Sequence, residues 1–318
     1  MSIFFEAMPF IILGAVISGI LEELVPQTLI ARLVPKNKLL ATLFVIPSAL
    51  LGLIFPMCEC GIVPVMRRLL RKGLPLSCSI AYMLAGPIIN LVVIMSTVVA
   101  FAPHGEPGYY IIGLRIGLGF LVAVGTALIV QRLYNKYGNS LLTDLAKPPE
   151  AKTTSLAVVD ETANASQPKN WMERLGNITE TALHDFVDIS VFLTLGAVLS
   201  SISRQFLDAK TINELSTGYP ILSILAMMGA AVLMCLCSEA DAFVAASYKT
   251  MHPAAKLSFL VLGPMLDLKL LMLFTRVFRA KLIWTLVVSL VVQVLIYTTA
   301  VYFIWQAAKL PISTVRIN

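Results

Sequence analysis

Thiols, carboxylates and helix-breaking residues crowd into two short stretches of this sequence. They are Phe55-Pro56-Met57-Cys58-Glu59-Cys60-Gly61 and Leu233-Met234-Cys235-Leu236-Cys237-Ser238-Glu239. Thiolates are soft ligands suited to Zn(II) and Cu(I), and by the same softness to trivalent arsenic. Cys58, Cys60, Cys235 and Cys237 are therefore candidate ligands for a metal or metalloid. The competing reading is that a buried cysteine acts as a small hydrophobe, which is how the lone Cys78 is read. Glu59, Glu239, Asp241 and Asp267 are carboxylates set in or beside apolar runs. Charge at bilayer depth costs about 2.5–3.5 kcal/mol per group on insertion scales and usually faces a protein interior or a pathway. These four could balance the charge of a bound solute or relay protons. Glu59, Glu239 and Asp241 could also lie in the interface where a helix emerges. Lys269 lies two residues from Asp267, a separation that on a helix points side chains to different faces. The pair is expected not to neutralise itself directly.

The two stretches are copies. Gly86-Pro87 follows Cys58 by 28 residues, Gly263-Pro264 follows Cys235 by 28, and Asn90 corresponds to Asp267. One shift of 177 residues superposes Gly52 on Gly229, Met57-Cys58-x-Cys60 on Met234-Cys235-x-Cys237, and Gly86-Pro87-x-x-Asn90 on Gly263-Pro264-x-x-Asp267. The match needs no insertion, so it marks an internal duplication. Proline removes an intrahelical hydrogen bond and bends the chain. Paired interruptions at corresponding positions of two halves point to a transporter binding site near the midplane. The candidate substrate-binding residues are accordingly Cys58, Glu59, Cys60, Gly86, Pro87, Asn90, Cys235, Cys237, Glu239, Asp241, Gly263, Pro264 and Asp267.

The elements that must position them are membrane helices. Of 318 residues 58% are hydrophobic and 13% charged, about half the charge of a soluble domain. Leu39 to Cys58 is twenty uncharged residues and Gly73 to Pro103 is 31, against about 20 needed to span a bilayer. Further helices are expected at Met1 to Leu21, at Gly108 to Val130 with Arg115 its only charge, and near 184–204, 217–237, 255–275 and 282–307. Gly113, Gly117, Gly119 and Gly125 offer close-packing positions. The fold class is an all-α polytopic membrane protein with two homologous halves of about four transmembrane helices each, broken at the Cys-x-Cys and Gly-Pro motifs. Residues 1–137 form the first repeat and 171–318 the second. Residues 138–170 lack an apolar face and read as a disordered cytoplasmic linker. With eight spans and an inside N-terminus, the basic loops at 67–72 and 249–256, the linker and the C-terminus share the cytoplasmic side. If a Cys-x-Cys segment only re-enters, the count per half becomes odd and the repeats invert.

Met57-Cys58-Glu59-Cys60-Gly61-Ile62-Val63-Pro64-Val65 with Gly86-Pro87-Ile88-Ile89-Asn90 resembles the predicted permease family that includes bacterial organoarsenical efflux permeases. Cys235-x-Cys237-Ser238-Glu239-Ala240-Asp241-Ala242 and Gly263-Pro264-Met265-Leu266-Asp267 resemble its second-half motifs. The resemblance covers nearly the whole chain outside the linker and implies a multi-pass permease of the bacterial cytoplasmic (inner) membrane. The expected function is movement of a thiophilic or small anionic solute, an organoarsenical or soft metal species among them, exported or exchanged without chemical change. No enzyme activity is expected. No nucleotide-binding motif is present, so no cofactor is expected, and energy would come from an ion gradient or an accessory membrane or soluble subunit. Partners are membrane lipid and the solute. Nucleic acid is excluded, since no basic helix is interleaved with exposed aromatics. Two alternatives are a membrane thiol oxidoreductase using the cysteine pairs, and a membrane subunit that docks a partner through Arg67 to Lys72.

Overall fold

The computed structural model describes residues 12–20, 23, 43–53, 58–143, 146, 171–206, 220–248 and 251–309, with the backbone alone at a few helix positions, Cys60 and Asp188 among them. Pro56, Met57 and most of the linker lie outside the described residues. In the first half, α1 covers 12–20 and α2 covers Val45–Leu50, prolonged by a 3-10 turn at Leu51–Leu53. After them come α3 (Glu59–Arg71), α4 (Leu76–Ala85), α5 (Leu91–Phe101) and α6 (Glu106–Tyr137). The second half has α7 (Trp171–Phe206), α8 (Pro220–Met234), α9 (Ser238–Ser247), α10 (Pro253–Leu262), α11 (Leu268–Val277) and α12 (Ala280–Ala307). The shift of 177 carries α4 onto α10 end for end and the start of α5 onto the start of α11. The chain is an all-α polytopic membrane protein.

Close contacts fix the direction of each helix. Ser48 on α2 reaches the Cys78 thiol on α4, and an added Cβ on Gly52 would lie 2.6 Å from Gly86 Cα. Thus α2 and α4 run side by side in the same direction. The Ile62 side chain, near the start of α3, abuts Gly86, and α3 returns from there to the turn that begins α4. The segment holding the first Cys-x-Cys is therefore a hairpin that enters and turns back. The second half repeats it. Ser258 Oγ on α10 donates to Ile224 O on α8 at 3.3 Å, and Asp241 on α9 meets Gly263 at the end of α10.

Beyond each Gly-Pro break the crossing continues. Ile88 packs on Gly119 of α6, and Thr97 on α5 accepts from Arg115 of the same helix at 2.6 Å. The pieces α4 and α5 thus lie successively along α6, opposite to it in direction. At one end of the bundle Tyr110 stacks edge-on with Trp305 at 5.9 Å, and His252 with Tyr302 at 4.7 Å. At the other, Lys281 Nζ sits 3.3 Å above the Tyr137 ring, and Leu142 pairs with Phe278. So α12 runs opposite to α6, the helix that the 177-residue shift sets against it, and the two halves run in opposite directions. The second half contributes a long first helix, a hairpin, a broken crossing and a long last helix, and the described residues of the first half show the same hairpin, broken crossing and long last helix. Of the four helical segments expected per half, one turns back.

Two expectations change with this topology. The turn after α3 lies at the Tyr137 end, where Arg67 shares a small cavity with Arg276 and Val277. The turn before α10 lies at the His252 end, so the two basic loops sit on opposite faces. The end of α12 also lies opposite residues 138–143. Residues 138–143, assigned to the linker by composition, are ordered: Leu141 and Leu142 are buried, Thr143 N donates to Val277 O, and Arg279 N to Leu141 O. Their apolar pair fills the gap beneath the α11–α12 turn. Among the described helices α6 and α12 are long and apolar enough to span alone. Pieces of ten or eleven residues such as α4 and α5 rise about 15–17 Å each at 1.5 Å per residue, half a bilayer core of about 30 Å.

Candidate functional site

Four helices begin at the breaks: α3, α5, α9 and α11. Asn90 caps α5, its Oδ1 accepting from Val92 N at 2.8 Å. Asp267 caps α11 in the same way, with Leu270 N donating to Oδ1 at 2.6 Å. Such a cap satisfies one of the donors a helix start leaves open. Cys58 and Cys237 hold the N-cap positions of α3 and α9 in extended backbone, with no side-chain cap bond. Cys235 follows α8 at φ 47°, a left-handed position that favours glycine, and strain of this kind in a non-glycine residue collects at functional sites.

The breaks of both halves meet. Glu59, first residue of α3, is buried and accepts from Ser238 Oγ, first residue of α9, at 3.2 Å. Lys269 Nζ on α11 pairs with Glu59 Oε1 at 3.4 Å and with Asp267 Oδ2 at 3.2 Å, and donates to Leu236 O at 3.4 Å. Arg115 on α6, itself buried, donates to Thr97 Oγ1 on α5 and to Ser238 O at 2.8 Å. Asp241 lies within electrostatic reach of Arg115, Glu59, Lys269 and Asp267, and Glu239 within reach of Arg115. Four carboxyls face two cations. Each helix N-terminus contributes roughly half a positive charge, so the four N-termini offset the excess of two negative charges if all groups are ionised.

The expected residues are thus placed as follows. Cys58, Cys235 and Cys237 are buried at the hairpin tips. Cys237 feels both Cys58 and Glu59 across the repeat interface, while Cys235 faces Asp267 and Lys269. The Cys60 side chain lies outside the described set. Gly86 and Pro87 sit at the first break and Gly263 and Pro264 at the second, all buried. Glu239 is half-buried and Asp241 buried. Asp267 and Lys269 do pair, against the expectation from helical spacing. Asp267 is the cap, at φ −136° and ψ 173°, so it stands off the helix and its side chain turns back toward Lys269. Among the described residues no three of His, Cys, Asp and Glu are grouped to hold a metal ion.

Lys269, Arg115 and Ser238 complete the cluster and were absent from the expected site. The sequence carried a signal for Arg115, the single charge in an apolar run. Of the four packing glycines, Gly119 and Gly125 meet Ile88 and Gln293, whereas Gly113 and Gly117 face open space. Arg67 and Arg68, read as part of a basic loop, point inward to Asp185 on α7 at 3.5 and 3.4 Å, and Ser18 Oγ donates to Asp185 at 2.7 Å. That knot answers the acidic residue within the span near 184–204.

Known proteins similar to this chain include predicted permeases. The profile of ArsP_1, described as a predicted permease, matches residues 1–303. UPF0718 protein YcgR of Bacillus subtilis is 35% identical over 296 residues, 92% of this chain and 92% of the relative. A provisionally named two-component membrane permease complex subunit of Streptococcus mutans is 30% identical over 298 residues, 93% of this chain and 91% of the relative. No solved structure matches the chain.

Proposed function

The chain belongs to the predicted permease family ArsP_1, and from that premise we propose that it carries a small thiophilic or anionic solute through the site where its two inverted halves meet. The observation that carries this reading is the bond from Glu59 of the first half to Ser238 and Lys269 of the second. Irregular backbone at membrane depth is tolerated where it is buried in protein or lines a cavity, and both sets of breaks are spent on this one place. Cys58 and Cys237 bring one thiol from each half. Two thiolates suit a trivalent organoarsenical or Cu(I), whereas tetrahedral Zn(II) asks for four ligands.

The Tyr137 end carries Arg68, Arg71, Lys72, Arg132, Lys136, Arg276, Arg279 and Lys281. An excess of Lys and Arg marks the cytoplasmic face, so this end faces the cytoplasm of a multi-pass inner-membrane protein, and the solute leaves toward the His252 end. An accessory subunit fits the name of the streptococcal relative. The thiol-oxidoreductase reading is weaker because the thiols are spaced Cys-x-Cys, whereas disulfide oxidoreductases use Cys-x-x-Cys.

The test is flux in everted membrane vesicles presented in turn with methylarsenite, Cu(I), Zn(II) and arsenate. Accumulation of methylarsenite or Cu(I), lost in Cys58→Ser and Cys237→Ser, is the expected result. Accumulation of arsenate alone, unaffected by those changes, would discard the thiol site and leave a charge-based one. No accumulation of any of them discards the proposed solute class.

A further inference from the structure

Building on the transporter reading, we propose that Asp241 is the group that takes up and releases a proton in each transport cycle, with Arg115 as the fixed cation its carboxylate faces. Three buried carboxyls share the site, and they are held differently. Glu59 accepts from Ser238 and pairs with Lys269. Asp267 accepts from Leu270 N and pairs with the same lysine. Adding a proton to Glu59 dismantles the ion pair that joins the two halves, and adding one to Asp267 strips the same lysine of its second partner. Asp241 is as deeply buried, yet its Oδ2 has no hydrogen-bond partner among the described residues. It can change protonation without breaking the Glu59–Lys269–Asp267 knot.

Its surroundings fit that exchange. The Arg115 guanidinium is near enough to act on Asp241 electrostatically, but its terminal nitrogens already donate to Thr97 and Ser238. The cation therefore stabilises the carboxylate at a distance rather than locking it in a forked pair. Asp241 Oδ2 also lies against the second Gly-Pro break, 2.8 Å from where a Cβ on Gly263 would stand. A change of charge on this oxygen acts directly on the backbone that joins α10 to α11.

The remaining charged groups around Asp241 are few. On its own helix there is Glu239; α3 brings Glu59, and α11 brings Lys269 with its cap Asp267. Along α10, which packs on α9, the charged residue is the buried Lys256, with His252 at that helix's cap. The other helix packed on α9, α5, carries no titratable side chain. The step conserves charge simply: the carboxylic acid gives one proton to solvent on the side to which the site opens, leaving a carboxylate opposite Arg115, and regains one from the other side.

The test needs no transported solute. Full-length protein in liposomes is titrated with pH while infrared difference spectra record the carbonyl stretch of protonated carboxylic acids. A titrating band that shifts when the protein is made with 13C-carboxyl aspartate, vanishes in Asp241→Asn and moves in Asp241→Glu is expected. The same band persists in Asp267→Asn and Glu59→Gln. A band that ignores the aspartate label, or survives Asp241→Asn, overturns the proposal; the labelled wild type decides the matter even where a variant fails to fold. Failure of every vesicle flux assay would sink the solute assignment while leaving this band in place, so the two failures are distinct.

Discussion

Lys269 is a cation that two carboxylates from different segments share. Its Nζ reaches Glu59 at 3.4 Å and Asp267 at 3.2 Å, with all three side chains under 5% exposed. Removing charges from water costs several kcal/mol per ion, and removing one partner of a buried pair commonly costs about 3–5 kcal/mol, because the rest are left uncompensated. Lys269→Met is therefore expected to lose about that much stability, read from thermal or denaturant unfolding in lipid. Glu59→Gln added to it restores part of the loss, with a coupling on the order of 1–3 kcal/mol. Strict additivity of the two changes would show that the lysine stabilises through its aliphatic stem and that the pair is incidental.

At the scale of elements the hairpin tips are held by backbone contact. A Cβ on Gly52 would meet Gly86 Cα at 2.6 Å and Ile89 O at 2.9 Å, while Gly113 faces open space. Overpacking of this kind costs about 1–3 kcal/mol. Gly52→Val should lower the unfolding temperature and abolish methylarsenite flux, whereas Gly113→Val should leave both near the parent. Equal effects at the two positions would refute the close approach. The tips should also be linkable. On a Cys78→Ser background, mild oxidation or a short bis-thiol reagent is expected to join Cys58 to Cys237, seen as a link between tryptic fragments of the two halves. No such link under any reagent length would place the tips apart. These contacts also show what a sequence can and cannot say. The 177-residue shift set α4 against α10 and located both breaks, because duplication preserves spacing. The turning back of the hairpin was not legible, since twenty uncharged residues satisfy the length rule whether they cross or re-enter. The pairing of Asp267 with Lys269 was missed for a related reason. Helical spacing rules hold only inside a helix, and Asp267 stands just outside one.

For the whole molecule, inversion rearranges which charges share a face. Eight alternating spans put Arg276, Arg279 and Lys281 opposite the Arg67 to Lys72 segment, and the basic residues then divide between the two sides. With the hairpins turned back, Arg67 and Arg276 line one cavity and Lys281 sits on Tyr137, so these residues collect at one end. Among the described residues the other end offers Glu106, His252, Lys256 and Lys309. Each Lys or Arg near a span end biases that end toward the cytoplasm, and the inverted arrangement lets most of the described ones agree. The expected topology has the α3–α4 turn and residues 138–143 inside, with the α9–α10 turn and the end of α12 outside. A reporter fused after Lys309 should therefore read periplasmic. In a cysteine-free background, a thiol placed at the partly exposed Arg71 should be blocked by membrane-impermeant maleimide only in everted vesicles, and one placed at the exposed Ser247 only in intact cells. Labelling of both positions from the same side would return the parallel arrangement of eight spans. The two sets of breaks would then no longer enter from opposite faces.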